Sequence, residues 1–242
     1  MKKVLITLSC AIFLMSCKTS NVTSATTTTK NNVAVSIDLV NVIDDKVKVT
    51  ITNPTITTET TTFNIPKIVP GTYSEDNYGR FVENVKAFDA KGNPLKIAKM
   101  DENSYTIYNA TKLAKVTYNV NDTYDTEGGA GFGESEDIFS PAGTNIKAGE
   151  NFMLNTHGFV GYFEGKSEIP YTVEVKHPAT LWGATSLIDT NPSNEIDVYN
   201  ATRYAELVDH PMMYSKPDYT EFNVEGMDIV ISVYSPTGKF KA

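Results

Sequence analysis

The chain has 242 residues, of which 40% are hydrophobic and 21% charged, with 15 Gly and 11 Pro. This composition suits a globular protein of one or two domains, long enough to bury a core without staples, and it excludes collagen-like and wholly disordered classes. A net charge of −8 and the lack of any basic stripe exclude a phosphate-tracking surface, so no nucleic-acid partner is expected.

The first residues read as a targeting segment. Lys2 and Lys3 precede an apolar run from Val4 to Met15. That run is too short to span a bilayer and fits the apolar region of a signal peptide. It ends in Leu14-Met15-Ser16-Cys17, which resembles a bacterial lipobox. Residues 1–16 would then be a lipoprotein leader, and Cys17 the lipidated first residue. An ordinary signal peptide with an incidental cysteine is the alternative. The second cysteine, Cys10, lies inside the leader, so the mature chain would hold neither an intrachain disulfide nor a free thiolate. Several acyl chains on Cys17 would anchor the protein stably to a membrane. Lys18 is not the Asp that retains enteric lipoproteins at the inner membrane. The expected location is therefore the bacterial envelope, at the outer membrane and facing the periplasm. The rest of 17–32 is rich in Thr, Ser and Asn without period and reads as a disordered tether, with a reach of roughly 20 Å.

From Val33 onward the pattern changes, and 33–242 reads as one β-rich domain. Val33, Val35, Ile37 and Leu39 alternate with less apolar residues, as do Val47, Val49 and Ile51, with Asp44-Asp45 between them as a turn. Period two with β-branched residues predicts an antiparallel hairpin of half-buried strands. Further strands are predicted at Val85–Phe88, Leu95–Ala98, Tyr105–Tyr108, Val116–Val120 and Tyr171–Val175. A last hairpin is predicted around Glu225-Gly226. Helix is expected over Ala201–Val208, with a short helical turn around Thr156–Tyr162. The fold class is therefore all-β: antiparallel β-sandwich or saddle-like sheets with one or two short helices, behind a signal peptide and tether.

A search for catalytic constellations yields little. A helical zinc site needs H-E-x-x-H. This chain has only His157, His177 and His210, far apart, and the last two precede proline. They are expected to be surface or packing histidines. No G-x-S-x-G elbow exists, and the nearest match, around Ser135, lacks the final glycine. Gly161–Ser167 misses phosphate-loop spacing by one residue. The acidic, glycine-rich stretch Asp125–Asp137 could hold calcium but has no EF-hand order, and a solvated loop is the expected reading. The Tyr and Phe residues could line a peptide or glycan groove, although core and cross-strand pairs are the commoner use. Asp209 beside His210 suggests a dyad, yet adjacent strand residues diverge.

One stretch is more specific. Phe63–Tyr73, FNIPKIVPGTY, followed by Tyr78-Gly79-Arg80-Phe81, resembles the N-terminal domain of the glycyl aminopeptidase family of zinc metallopeptidases, peptidase family M sixty-one. Val85–Leu95 is similar to its V-x-A-x-D-x-x-G-x-x-L segment, Asp101–Tyr105 to its D-x-N-x-W turn, and Tyr204–Tyr214 to its Y-D-E-L-V-D-S-P segment. Ile68 stands where an aromatic is common, and Asp76-Asn77 where Arg-Asp is common. The resemblance implies structural roles for Pro70, Gly71, Tyr73 and Arg80. It also implies a β domain that packs on a catalytic domain and helps wall its cleft, with Asn155, Thr156 and His157 as cleft-facing candidates. H-E-x-x-H does not occur, so this chain alone is expected to hold no catalytic residue, no metal and no cofactor. Zinc would belong to the missing catalytic domain, the expected partner. The alternative is a free-standing envelope lipoprotein that binds a peptide, glycan or protein partner.

Overall fold

The structure is a computed structural model that describes residues 31–52, 54–71, 74–123, 142–191 and 193–242. The leader, Cys17, most of the tether, Tyr73 and the acidic loop Asp125–Asp137 lie outside the described residues.

The chain opens as its alternation predicts. β1 (Val33–Ile43) and β2 (Lys46–Thr52) form an antiparallel hairpin. Asp44 and Asp45 both take positive φ, near 51° and 53°, the backbone twist that a two-residue hairpin turn requires. β3 (Thr60–Asn64), β4 (Val82–Asp89), β5 (Pro94–Leu95), β6 (Ile97–Lys99), β7 (Ser104–Tyr108) and β8 (Leu113–Asn121) follow. Next come β9 (Asn145–Lys147), β10 (Asn151–Leu154), helix α1 (Thr156–Phe159), β11 (Tyr162–Phe163), β12 (Tyr171–Lys176), β13 (Trp182–Ala184) and β14 (Ile196–Ala201). Helix α2 (Tyr204–Val208), β15 (Met212–Ser215), β16 (Tyr219–Val224) and β17 (Met227–Ser232) complete the chain.

Seven strands form one large sheet in the order β14-β12-β1-β2-β8-β4-β5. Two four-stranded sheets, β13-β15-β10-β9 and β11-β3-β7-β6, stand apart from it, and β16-β17 forms a two-stranded sheet of its own. The large sheet is antiparallel except where β1 runs parallel to β12. Register aligns one buried row across it, Tyr199–Val173–Val35–Ile51–Val116–Ala87. The outer face carries Ser36, Thr50, Thr172 and Glu174, so alternation along each strand becomes an inside and an outside for the sheet. Both smaller sheets send aromatics onto the inner face. Phe63 of β3 lies 5.7 Å from the Tyr118 ring, and the Tyr214 hydroxyl of β15 reaches Asp197 of β14. This is the expected sandwich of sheets with two short helices.

Three local expectations need correction. The strand expected at Leu95–Ala98 is split: Leu95 pairs with Ala87 in the large sheet, whereas Ile97 pairs with Ile107 in another, so the chain changes sheets at Lys96. The helix expected from Ala201 begins at Tyr204, because Ala201 is still paired with Tyr171. Glu206 then turns back to accept from the Thr202 backbone N–H, at 2.6 Å, and from its hydroxyl. The helical turn expected to reach Tyr162 stops at Phe159, because Tyr162 and Phe163 pair with Asn64 and Phe63.

Candidate functional site

The segment that carries the family resemblance links β3 to β4. Pro70-Gly71 makes a turn, and Gly71 has φ near 97°, a conformation open to glycine and costly for other residues. Backbone bonds from the Asn77 N–H to the Lys67 carbonyl and from the Tyr78 N–H to the Pro66 carbonyl close the loop. Asn77 adopts the left-handed region and starts a single 3₁₀ turn, Tyr78–Phe81.

Gly79 is fixed by a close approach. A β-carbon there would collide with the Glu102 carbonyl oxygen. Its N–H donates to Asn103 Oδ1 at 2.9 Å, and Asn103 Nδ2 donates to Asn77 Oδ1 at 2.8 Å. Asn103 thus ties the motif to the turn before β7. Asp101 holds that turn by accepting from the Asn103 N–H and the Ser104 hydroxyl, and these bonds keep its carboxyl below the usual range. Beside this junction lies an open cleft of about 470 Å³ whose lining includes Lys67, Glu75, Asn77, Asn103 and Tyr162.

Asp76, one of the departures from the family pattern, is buried. It accepts from the Tyr78 hydroxyl at 2.8 Å and from the Ser74 hydroxyl at 2.6 Å. Arg80 Nε donates to the Asp76 carbonyl oxygen at 3.1 Å, and the guanidinium lies over the Phe81 ring. Burial, with the Asp76 carboxylate behind it, pushes the Tyr78 phenol far above its ordinary range.

The Tyr78 ring meets His157 edge to face at 4.6 Å. Asn155, Thr156 and His157 are all buried, and each spends polar atoms on a backbone carbonyl. Asn155 Nδ2 donates to Gly143, the Thr156 hydroxyl donates to Leu207, and His157 Nε2 lies 3.2 Å from the Ala142 oxygen. Burial lowers the affinity of His157 for a proton. Tyr118 and Tyr204 donate to the carbonyls of Phe159 and Val160, so four side chains brace α1 and its end. The Gly161–Ser167 stretch owes its glycines to packing and turning. A β-carbon at Gly161 would meet the Phe63 ring, and Gly165 turns the chain at φ near 69°.

A second polar centre was not foreseen from sequence. His177, Asp197, Tyr199 and Tyr214 form a buried network between the large sheet and β15. Asp197 Oδ1 lies 3.1 Å from His177 Nε2, and Oδ2 accepts from Tyr199 and Tyr214 at 2.9 and 2.8 Å. His177 Nδ1 faces the Pro178 carbonyl at 3.1 Å. Both ring nitrogens therefore face oxygens that can only accept, which favours the doubly protonated ring. Burial works against that charge, but the hydrogen bonds to Asp197 and the Pro178 carbonyl, with the nearby carboxylate charges, together outweigh it and raise the His177 pKa. The His177 contact, aided by the two phenols, offsets the burial cost for Asp197 and lowers its pKa. The available signal was the Asp-x-Tyr spacing on a strand, which puts both side chains on one face. His210 lies elsewhere, with Nδ1 2.6 Å from the exposed Ser186 hydroxyl.

The three histidines are thus spent on separate partners. Among the described residues, no group of three or more His, Cys, Asp or Glu side chains stands together as a metal site. This donor set does not fit zinc. What the described side chains offer is packing and hydrogen bonding, with no nucleophile held beside a base in a buried pocket.

No curated protein sequence matches the chain. Among solved structures, the aminopeptidase N family protein from Idiomarina loihiensis superposes with a TM-score of 0.69 at 17% identity, over 86% of this chain and 34% of its own. An M1 zinc metallopeptidase from Deinococcus radiodurans aligns with a TM-score of 0.40 at 11% identity, over 87% of this chain and 48% of its own. The chain thus spans about a third of the Idiomarina protein and about half of the other. The sequence profile of the Peptidase M61 N-terminal domain matches residues 34–216, which cover the large sheet, both smaller sheets and the Pro66–Arg80 motif. The chain belongs to the family of Peptidase M61 N-terminal domains.

Proposed function

We propose that this chain is the non-catalytic β domain of a glycyl-aminopeptidase-like metallopeptidase, held at the cell envelope by lipid on Cys17, which packs on a zinc peptidase domain and helps wall its cleft. The observation that carries the reading is the family match over 34–216, joined to a motif whose polar atoms serve the fold. Hydrogen bonds from Asn103 and Asp76 and the close approach at Gly79 hold the Asp76–Arg80 turn, as a cleft wall requires. In this reading α1 shapes the wall through its backbone, since its side chains point inward. Zinc and the general base belong to the partner domain.

The test is a peptidase assay on the purified 242-residue chain with glycyl peptides, with and without chelator. The expected result is no chelator-sensitive turnover by this chain alone, and turnover when an H-E-x-x-H domain is supplied. Chelator-sensitive turnover by the chain alone would overturn the reading. Labelled palmitate should enter the protein in cells, and Cys17→Ser should abolish that label and release the protein from the membrane fraction.

A further inference from the structure

The hairpin β16–β17 is built differently from the rest of the molecule. It forms a separate sheet, and neither outer edge pairs with another strand among the described residues. Register sets Thr220 opposite Ile231, Phe222 opposite Ile229 and Val224 opposite Met227. Cross-strand partners share a face. One face is therefore Thr220, Phe222, Val224, Met227, Ile229 and Ile231, apolar but for a threonine. The other carries Tyr219, Glu221, Asn223, Asp228, Val230 and Ser232.

The mixed face is held at its base. Tyr219 stacks on Trp182 with centroids 4.5 Å apart and planes 19° apart, and the Val233 N–H donates to the Asp218 carbonyl. The apolar face is left in solvent: Phe222 is 44% exposed, Val224 49%, Met227 63% and Ile231 46%. An isolated two-stranded hairpin is marginal in water and needs a third strand or a covering layer. Exposed edges are ordinarily protected by Lys, Pro or a bulge. Neither strand contains Lys or Pro, and their register runs without a shift.

Size narrows the occupant. The apolar face is about 20 Å by about 10 Å, or roughly 200 Å². A freely associating partner needs roughly 800 Å² per side. The face is too small to hold a second copy of this chain or an unrelated protein by itself. It suits a neighbour that also pairs with the free edges and touches the body of the domain. The family match ends at residue 216, and β16 opens at Tyr219, so the hairpin lies outside the matched domain.

We propose that β16–β17 is a docking hairpin: it adds its two strands to the edge of a β-sheet in the zinc peptidase domain and buries Phe222, Val224, Met227, Ile229 and Ile231 there. This rests on the function proposed above and names the surface through which it works.

The test places the photo-crosslinker benzoylphenylalanine at Phe222 in the full chain, expressed in its own cells. Separate variants carry it at Ile188 or Met100, exposed positions on the body of the domain. Adducts are mapped by mass spectrometry. The expected adduct at Phe222 is to a polypeptide segment carrying H-E-x-x-H, and Ile231→Asp should reduce it at least tenfold. Near-ultraviolet circular dichroism should not change, because Ile231 is outside the core. An adduct at Phe222 to a second copy, to lipid or to a protein without H-E-x-x-H overturns the docking hairpin, as does no adduct. If Ile188 or Met100 captures the peptidase and Phe222 does not, the hairpin proposal falls and the proposed function stands. If no position captures a peptidase, both fall.

Discussion

At the level of single residues, the fold depends on a few contacts that tolerate no substitute. Gly79 is one. A methyl group there meets the Glu102 oxygen and the Asn103 backbone, neither of which is the free end of a side chain. Gly79→Ala is expected to cost about 1–3 kcal/mol, read as a lower urea midpoint at unchanged slope. The two buried histidines make opposite demands on pH. His177 has a raised pKa, so its contribution is full below the ordinary value of 6.5 and is lost as pH rises through its folded pKa. His157 has a lowered pKa, so its neutral burial is favoured above 6.5 and penalised as pH falls toward its folded pKa. Urea melts across pH 5 to 9 should therefore show His157→Gln flattening the acid side and His177→Gln flattening the side above 6.5. The same slope in both variants would contradict these environments. Asp197→Ala leaves His177 and two phenols without their acceptor, and a loss of about 3 kcal/mol or more is expected.

At the level of elements, β1 is an interior strand of the large sheet, paired with β2 on one side and β12 on the other. Ile37 is fully buried between Val49 and Val175, whereas Ser36 lies on the outer face. Ile37→Ala should cost about 2–5 kcal/mol, and Ser36→Ala a few tenths, by denaturant titration. Strands such as β1, β2, β8 and β12 were legible in the sequence because each buries one face and so alternates strictly. The parallel pairing of β1 with β12 was not legible. Nothing local encodes which distant strand a central strand accepts, and an opening hairpin suggests only antiparallel neighbours. The Lys96 crossing between sheets was hidden for a related reason: Leu95 and Ile97 have the same spacing whether they serve one sheet or two. The motif Pro66–Arg80 was legible through its residue types, and Gly71 occupies the kind of turn that Pro-Gly implies. Its anchor, Asn103, was not, because its amide bridges to Asn77 and Gly79 across strands. The His177–Asp197 pair was also hidden, since it forms only when β14 and the end of β12 meet.

At the level of the whole molecule, the core and the C-terminal hairpin separate cleanly. Every buried apolar residue among those described lies at or before Tyr214, and none lies in β16 or β17. The large sheet, the two smaller sheets and both helices are complete without the last 26 residues, 217–242. What the hairpin shares with the body includes the Trp182–Tyr219 stack, a long hydrogen bond from the Tyr234 hydroxyl to Glu150 and backbone continuity. A chain ending at Ser215 or Lys216 should therefore keep a single cooperative transition and melt within about 4 °C of the full chain, equivalent to roughly 1 kcal/mol at this size. Removing an exposed apolar face should also lower the binding of a hydrophobic dye and reduce self-association at high concentration. A fall of ten degrees or more would mean that the hairpin is part of the core, in which case its apolar face would be serving this domain and not a neighbour. A small shift with lower dye binding would leave the hairpin as a feature whose stability must come from outside the domain.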